Sequence, residues 1–599
     1  MPSKVLKTTN KKGTGKVLSP GSFIPYPYLI VFLVPVIFFF FSIRNGFVYF
    51  DDDILVLDNQ SMISDLSNII KVFHSDAFLN NSSPYYRPML NVSFMIDARF
   101  GKSNPAFYHF MNLFYHGLCC ISLLWLLQLV GFSRKKAFAC TLVFSVHPLM
   151  ANTVFWIPAR SDLLVALFGI LFFSLSIKYA RERKPVMLIG AILCFTAALF
   201  SKESAVLLPF LLFLYFIMTR EKLIPNLVLF AAPAFVIAGW FYLRSISVRM
   251  IGPEQMGIYS IIKNLPFPFE ILSRFFFPFN LPVTPVFSAF FTCLGILIAI
   301  AIPLVYIIRG RKMISLFLFG IIWYIAFSLP NMFVWLNTTP ASYEYLVHRA
   351  YFPVAGLLLS VLLLIPEKWT DLSNRRTLAV FLVVTLVLVT TSILQGRKYH
   401  DAPAFWNSAI RYNPERAWFY HFLGRYYFKQ KDYVTFERYT RKAVSLKTEP
   451  WFLYNLAMIC FVEKKQYDSA FIYFNRARAT GFTDPEANRN YINLCLESAR
   501  DFFVKGEYNK AVERCGISVS LDPSNPIAAY NMGLYLIYSG ERKKAAAWWR
   551  RSLVLNPELK EAYLSLYYYY RNNTTLGDSV DYYAREYQKR GGIIKQAVP

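Results

Sequence analysis

The chain has 599 residues, of which 55% are hydrophobic, 18% aromatic and 17% charged, and its mean hydropathy is +0.36. A soluble protein of this size carries more charge and fewer long apolar runs, so the composition is that of a polytopic membrane protein. The formal net charge of +27 does not make nucleic acid the partner: much of the N-terminal excess sits in short clusters between apolar runs, and no C2H2 pattern, RNP-like stretch or basic heptad region accompanies it.

Residues 1–27 carry Lys4, Lys7, Lys11, Lys12 and Lys16 and enter the first apolar run without a small-residue cleavage site, which reads as a cytoplasmic basic terminus followed by a signal anchor. Apolar runs at roughly 28–43, 107–130, 137–155, 162–177, 186–200, 204–219, 223–243, 287–308, 313–330, 353–366 and 377–395 predict about eleven spans and a membrane domain over 28–395. With the N-terminus inside, every second connector is cytoplasmic. Those connectors hold Arg134-Lys135-Lys136, Lys178 with Arg181 to Lys184, Arg220-Glu221-Lys222, Arg309 with Arg311-Lys312, and Lys368 with Arg375-Arg376, all basic as the positive-inside rule requires.

The opposite connectors are longer, more aromatic and dotted with single polar residues. The first is an extracytoplasmic loop over 44–105. An odd number of spans places the C-terminal domain on this outer face as well. The eight cysteines are scattered without a CxxC pair, which is neither a disulfide framework nor a zinc site.

From about 396 to 599 the periodicity becomes that of tetratricopeptide repeats. Tyr530-Asn531-Met532-Gly533, Ala545, Trp549 and Pro557 keep the repeat's spacing, and Phe422-Leu423-Gly424, Leu456-Ala457 with Ala470, and Ala511 with Pro523 mark further copies. The fold class is therefore all-α: a transmembrane helical bundle followed by an α-solenoid.

Chemistry concentrates on the outer face. Asp51, Asp52 and Asp53 follow the first span, and mutual repulsion at a low-dielectric edge raises a carboxyl pKa toward that of a general base; the bland alternative is a solvated loop. Arg87, His147, Arg160, Lys202 with Glu203, and His348-Arg349 stand at outer span ends, against the inside bias for positive charge. A phosphate would account for them together; internal pairs, Arg160 with Asp162 or Lys202 with Glu203, would account for some of them singly. His109, Asn112 and His116 fall near one helix face and read first as interhelical hydrogen-bond formers. Metal ligation by the aspartate run needs further oxygen ligands that the sequence does not single out, so a divalent metal stays open.

Asn45-Gly46-Phe47-Val48 before Asp51-Asp52, Tyr86-Arg87-Pro88, Phe144 to Pro148, Arg160 to Leu164, Ser201 to Ser204 and Arg349 to Pro353 form an ordered set. That set, with the C-terminal repeats, resembles the transmembrane-and-tetratricopeptide O-mannosyltransferases, GT-C-fold relatives of the protein O-mannosyltransferases. The resemblance implies an inverting glycosyltransferase using a polyprenyl-phosphate-linked sugar, with the essential acid carried over to Asp51 or Asp52. Arg87, His147, Arg160, Lys202, Glu203 and Arg349 are then expected at the donor phosphate, and the repeats are expected to hold an acceptor protein through its Ser/Thr hydroxyls. Two rivals stand beside it: an oligosaccharyltransferase moving a preassembled lipid-linked glycan, and a non-catalytic membrane scaffold. The expected compartment is a bacterial inner membrane, with the endoplasmic reticulum as the alternative.

Overall fold

The computed structural model describes residues 26–80, 83–248, 258–310, 312–333, 345–572 and 577–594. The basic terminus, Asn81-Ser82, Arg311 and residues 334–344, half of the 331–352 stretch, lie outside the described residues. The regular structure described is helical throughout, and the chain divides into two compact units, up to Tyr412 and from Asn413 onward.

Among the described residues, eight helices of the first unit are long and apolar enough to cross a membrane: Tyr26–Arg44, Pro105–Leu129, Ile157–Glu182, Val228–Ser247, Ala289–Ile308, Ile314–Met332, Val347–Leu364 and Arg375–Tyr399. Each matches a predicted run. Two more predicted runs form the shorter apolar helices Pro185–Ser201 and Glu203–Thr219. The run at 137–155, expected as one span, is instead two helices, Arg134–Val146 and Pro148–Phe155, bent by 54°. The cause is local. Pro148 has no N–H to continue the ladder and holds His147 extended at φ −70°, ψ 131°.

Ile157–Glu182 and Val347–Leu364 are mostly buried, whereas Ala289–Ile308 and Arg375–Tyr399 expose most of their apolar side chains, as lipid-facing helices do. Small residues set the spacing of the inner helices. A Cβ on Gly320 would lie 2.7 Å from the Gly356 carbonyl, and one on Gly356 would collide with Trp323. Two predicted cytoplasmic connectors meet: Lys135 pairs with Asp371 at 2.8 Å and Ser133 donates to Glu367 at 2.7 Å.

The first unit ends later than the 395/396 boundary read from the sequence, because helix Ala402–Tyr412 is stitched to the outer loop. Trp406 donates to the Val48 carbonyl at 3.1 Å and packs edge-on to Phe50, and the Gly46 N–H donates to the His400 carbonyl at 2.7 Å.

The second unit is a run of helix pairs: Ala417–Lys429 with Tyr433–Leu446, Pro450–Met458 with Tyr467–Ala479, Pro485–Val504 with Tyr508–Leu521, Pro526–Tyr538 with Arg542–Leu555, and Lys560–Arg571 with Gly577–Lys589. Ala443, Ala470, Ala511 and Ala545 are fully buried where paired helices approach. The second pair holds one residue more between Ala457 and Ala470 than separates Gly533 from Ala545. A single π turn, Ile459–Glu463, absorbs it. Cys460, Cys495 and Cys515 are buried core residues.

Candidate functional site

Span ends and the loop after the first span, both expected on the outer face, enclose a cavity of about 520 Å³ in the first unit. Of the residues singled out in sequence, Asp51, Arg87, Lys202, Glu203 and Arg349 line it; Asp162 and His348 join them, with Tyr85, Trp156, Trp240, Phe241 and Arg244 on the walls. Asp52, His147 and Arg160 are not among its lining residues.

The aspartate run separates by backbone geometry. Asp51 has a positive φ of 68°, as does Tyr49 at 56°, a left-handed conformation that costs a non-glycine residue about 1–2 kcal/mol. The surrounding loop over-determines it: Trp156 donates to the Phe50 carbonyl at 3.0 Å and stacks on the Phe50 ring. This turn sends Asp51 to the cavity and Asp52 inward. Asp52 is 1% exposed, and its carboxyl accepts the Val48 N–H at 2.7 Å and the Phe50 N–H at 3.1 Å, closing the loop on itself. Asp53 is buried at the start of a π turn, Asp53–Leu57.

Burial and the Asp53 charge push the Asp51 carboxyl up to about 6, against the opposing pull of Arg349 and Arg87. Asp52 is pushed further, to about 8, by burial and Asp53, with its two N–H bonds pulling the other way. Asp51 is thus ionised at neutral pH and near enough to it to exchange a proton, whereas Asp52 holds its proton.

The cations are held by carboxylates that are not their sequence neighbours. Arg87 forks onto Glu203 (Nε to Oε2 3.0 Å, Nη2 to Oε2 2.9 Å), and the Tyr86 N–H adds a third bond to the same carboxylate. Lys202 donates to Asp162 Oδ1 at 2.6 Å, and His348 Nε2 lies 3.7 Å from Asp162 Oδ2. Burial lowers Lys202 to about 8, with Asp162 resisting and Arg87 and Arg349 assisting. Arg349 is half-buried, and among the described residues no carboxylate pairs with it. Arg244 donates to the Pro84 carbonyl at 3.3 Å and lies over Trp240. Among the described lining residues, four Lys/Arg cations face three carboxylates, so the cavity stays net positive even with Asp51 ionised.

Arg160 is fully buried. Its Nη1 meets Asp97 Oδ2 at 2.5 Å, Nε donates to Asn112 at 2.7 Å, Nη2 to the Tyr108 carbonyl at 2.9 Å, and the guanidinium lies over Phe94. His147 caps the bent pair: Nδ1 accepts the Leu149 N–H and Nε2–H donates to the Phe275 carbonyl at 2.9 Å. His116 donates to the Ser145 carbonyl and accepts from the Tyr351 hydroxyl at 2.6 Å, an interhelical tie of the kind expected. Among the described residues, no group of three or more His, Cys, Asp or Glu is placed to hold a metal ion.

Sequence reasoning treated Asp162 only as a partner for Arg160 and passed over Trp240, Phe241 and Arg244. Arg244 was within reach, since it is another isolated cation at an outer span end. The aromatic walls carried no signal distinguishing them from other apolar span residues.

Fold and cavity together define a helical integral membrane protein with a cationic, aromatic-walled cavity and a helical-repeat unit. No family profile matches the chain. It is similar to protein O-mannosyl-transferase TMTC3 of Homo sapiens, 27% identical over 150 residues, which cover 24% of this chain and 16% of that protein. It is also similar to TMTC4 of Mus musculus, 29% identical over 164 residues (24% of this chain, 22% of that protein), and to TMTC1 of Homo sapiens, 32% identical over 95 residues (16% and 11%). The matches thus span less than a quarter of these relatives' length. Among solved structures, the repeat protein YrrB is 20% identical with a TM-score of 0.22 over 32% of this chain and 94% of its own. Yeast Tom70 is 9% identical with a TM-score of 0.20 over 77% of this chain and 89% of its own.

Proposed function

We propose that this protein is a glycosyltransferase that moves a sugar from a polyprenyl-phosphate-linked donor to Ser or Thr hydroxyls of an acceptor protein, with inversion at the anomeric carbon. The observation that carries the reading is Asp51: an ionised carboxylate near its proton-exchange point, lining the same net-positive cavity as Arg87, Lys202 and Arg349. The similarity to proteins named O-mannosyl-transferases supports the same class.

Chemically, the acceptor oxygen attacks C1 of the sugar while its proton passes to Asp51. The C1–O bond to phosphate breaks, and the departing polyprenyl phosphate keeps the electron pair. Its growing charge is met by Arg349, which has no competing carboxylate among the described residues, and by Lys202. Arg87, fixed by Glu203, and the aromatic walls orient the sugar and its phosphate. The repeat unit supplies a surface for an extended acceptor segment.

The experiment is transfer in detergent from a defined polyprenyl-phosphate mannose to a Ser/Thr-rich peptide, comparing the wild type with Asp51→Asn. Turnover that survives this substitution in a folded protein overturns the reading.

A further inference from the structure

The Lys202 ammonium sits in a place that works against its charge. It is largely buried, and the elements around the cavity bring more positive charge: Arg87 from the residue before Pro88–Gly101, and Arg349 from the turn Val347–Ala350. Its sequence neighbour Glu203 is committed to Arg87, and Asp51 stands in the aspartate loop of the same cavity. His348 faces it across Asp162. Among the described residues, only Asp162, from the first turn of Arg160–Glu182, supplies a carboxylate in direct contact.

We propose that Asp162 is the positioning residue of this cavity, its Oδ1 holding the Lys202 ammonium toward the anion that binds there, with the His348 imidazole 3.7 Å from its Oδ2. The proposal deepens the reading of the cavity as a phosphate site and rests on it. Asp162 itself is held by Lys202 and does not react. Its removal acts through Lys202: a buried amine between two guanidinium groups and without a counter-ion sheds its proton. The phosphate then loses one of its cations although every cation-bearing residue is still present.

A readout that needs no ligand comes first. The pH dependence of Lys202 acylation by an amine-reactive ester, followed at that residue by mass spectrometry, has a midpoint near 8 in the wild type. In Asp162→Asn the midpoint moves down by about one to three pH units, the size expected from losing an adjacent opposite charge. A midpoint that stays near 8 overturns the proposal.

The second readout is farnesyl phosphate binding, measured by tryptophan fluorescence across the same pH range. Binding by the wild type weakens above about pH 8, that of Asp162→Asn weakens at correspondingly lower pH, and Asp162→Asn/Lys202→Arg restores it, because a guanidinium does not titrate there. Lys202→Arg alone, which leaves Asp162 in place and so does not depend on the fold tolerating its loss, abolishes the alkaline fall; a fall that persists overturns the proposal. A loss in Asp162→Asn equal at every pH marks Asp162 as merely structural and also overturns it. A shifted Lys202 midpoint with no farnesyl phosphate binding by any form, wild type included, overturns the phosphate-site reading and leaves the Asp162–Lys202 coupling standing.

Discussion

Two charge clusters in the membrane unit look alike in sequence and differ in kind. Arg160 with Asp162, and Lys202 with Glu203, are both isolated cations beside an acid at an outer span end. In the structure they exchange partners: Arg160 pairs with Asp97, Lys202 with Asp162, and Arg87 with Glu203. The reason is geometric, since residues one or two apart on a helical turn do not face each other. Arg160 is walled in, and each of its three nitrogens has a protein partner. The cavity cations border open space, and among the described residues no carboxylate pairs with Arg349. Saturation therefore separates a guanidinium that holds helices together from one that can meet a ligand.

That contrast is open to direct attack. The largest expected effect is on Asp51→Asn, which keeps the fold and lowers turnover by about 10²–10⁴-fold, the usual worth of a positioned general base. Steady-state transfer assays with a melting curve on the same preparation check it. Next is Arg160→Leu, which strands Asp97 in the interior. Its cost is about 3–5 kcal/mol of stability, read as a lowered unfolding midpoint in detergent, with turnover per folded molecule little changed. Arg349→Ala comes third: it removes charge-assisted hydrogen bonds to the donor worth about 1.5–3 kcal/mol, seen in weakened binding of the phosphate donor while the melting curve stays in place.

pH sharpens the comparison further. Asp51 accepts a proton only when ionised, so activity falls as pH drops through about 6. Lys202 serves only when charged, so activity also falls as pH rises through about 8. A bell between these values, measured as transfer rate at subsaturating donor, is the expected profile.

The smallest effect belongs to Asp52→Asn. Asp52 is protonated at neutral pH, so an amide is close to its native state, and a loss of about 1 kcal/mol with turnover retained is expected from the altered loop hydrogen bonds. Its folded pKa lies above the ordinary 3.8, so the native form binds the extra proton and loses stability as pH rises from there through about 8. The Asn variant lacks that slope, which thermal unfolding at several pH values would reveal.

Much of this protein was written in its periodicity. Runs of apolar residues located each of the eight membrane-length helices described, because a lipid-crossing segment must be apolar over its whole length whatever its neighbours are. Small and aromatic residues at fixed offsets located the repeat helices, because each pair buries the same local pattern. Asp51, Arg87, Lys202, Glu203 and Arg349, which line the cavity, were also legible, since a charge at a span end is conspicuous in a linear chain, whereas Arg244 was passed over and Asp52, His147 and Arg160 fall outside the lining.

Tertiary structure alone decided how those charges are spent. The positive φ of Asp51, which turns it into the cavity while Asp52 caps its own loop, follows from contacts with Trp156 and Trp406, residues far away along the chain. The burial of Arg160 and the pairing of Asp162 with Lys202 likewise come from elements distant in sequence. Hydropathy is a property of segments and survives without a partner. Electrostatic pairing is a property of distances, and these exist only once the helices have packed.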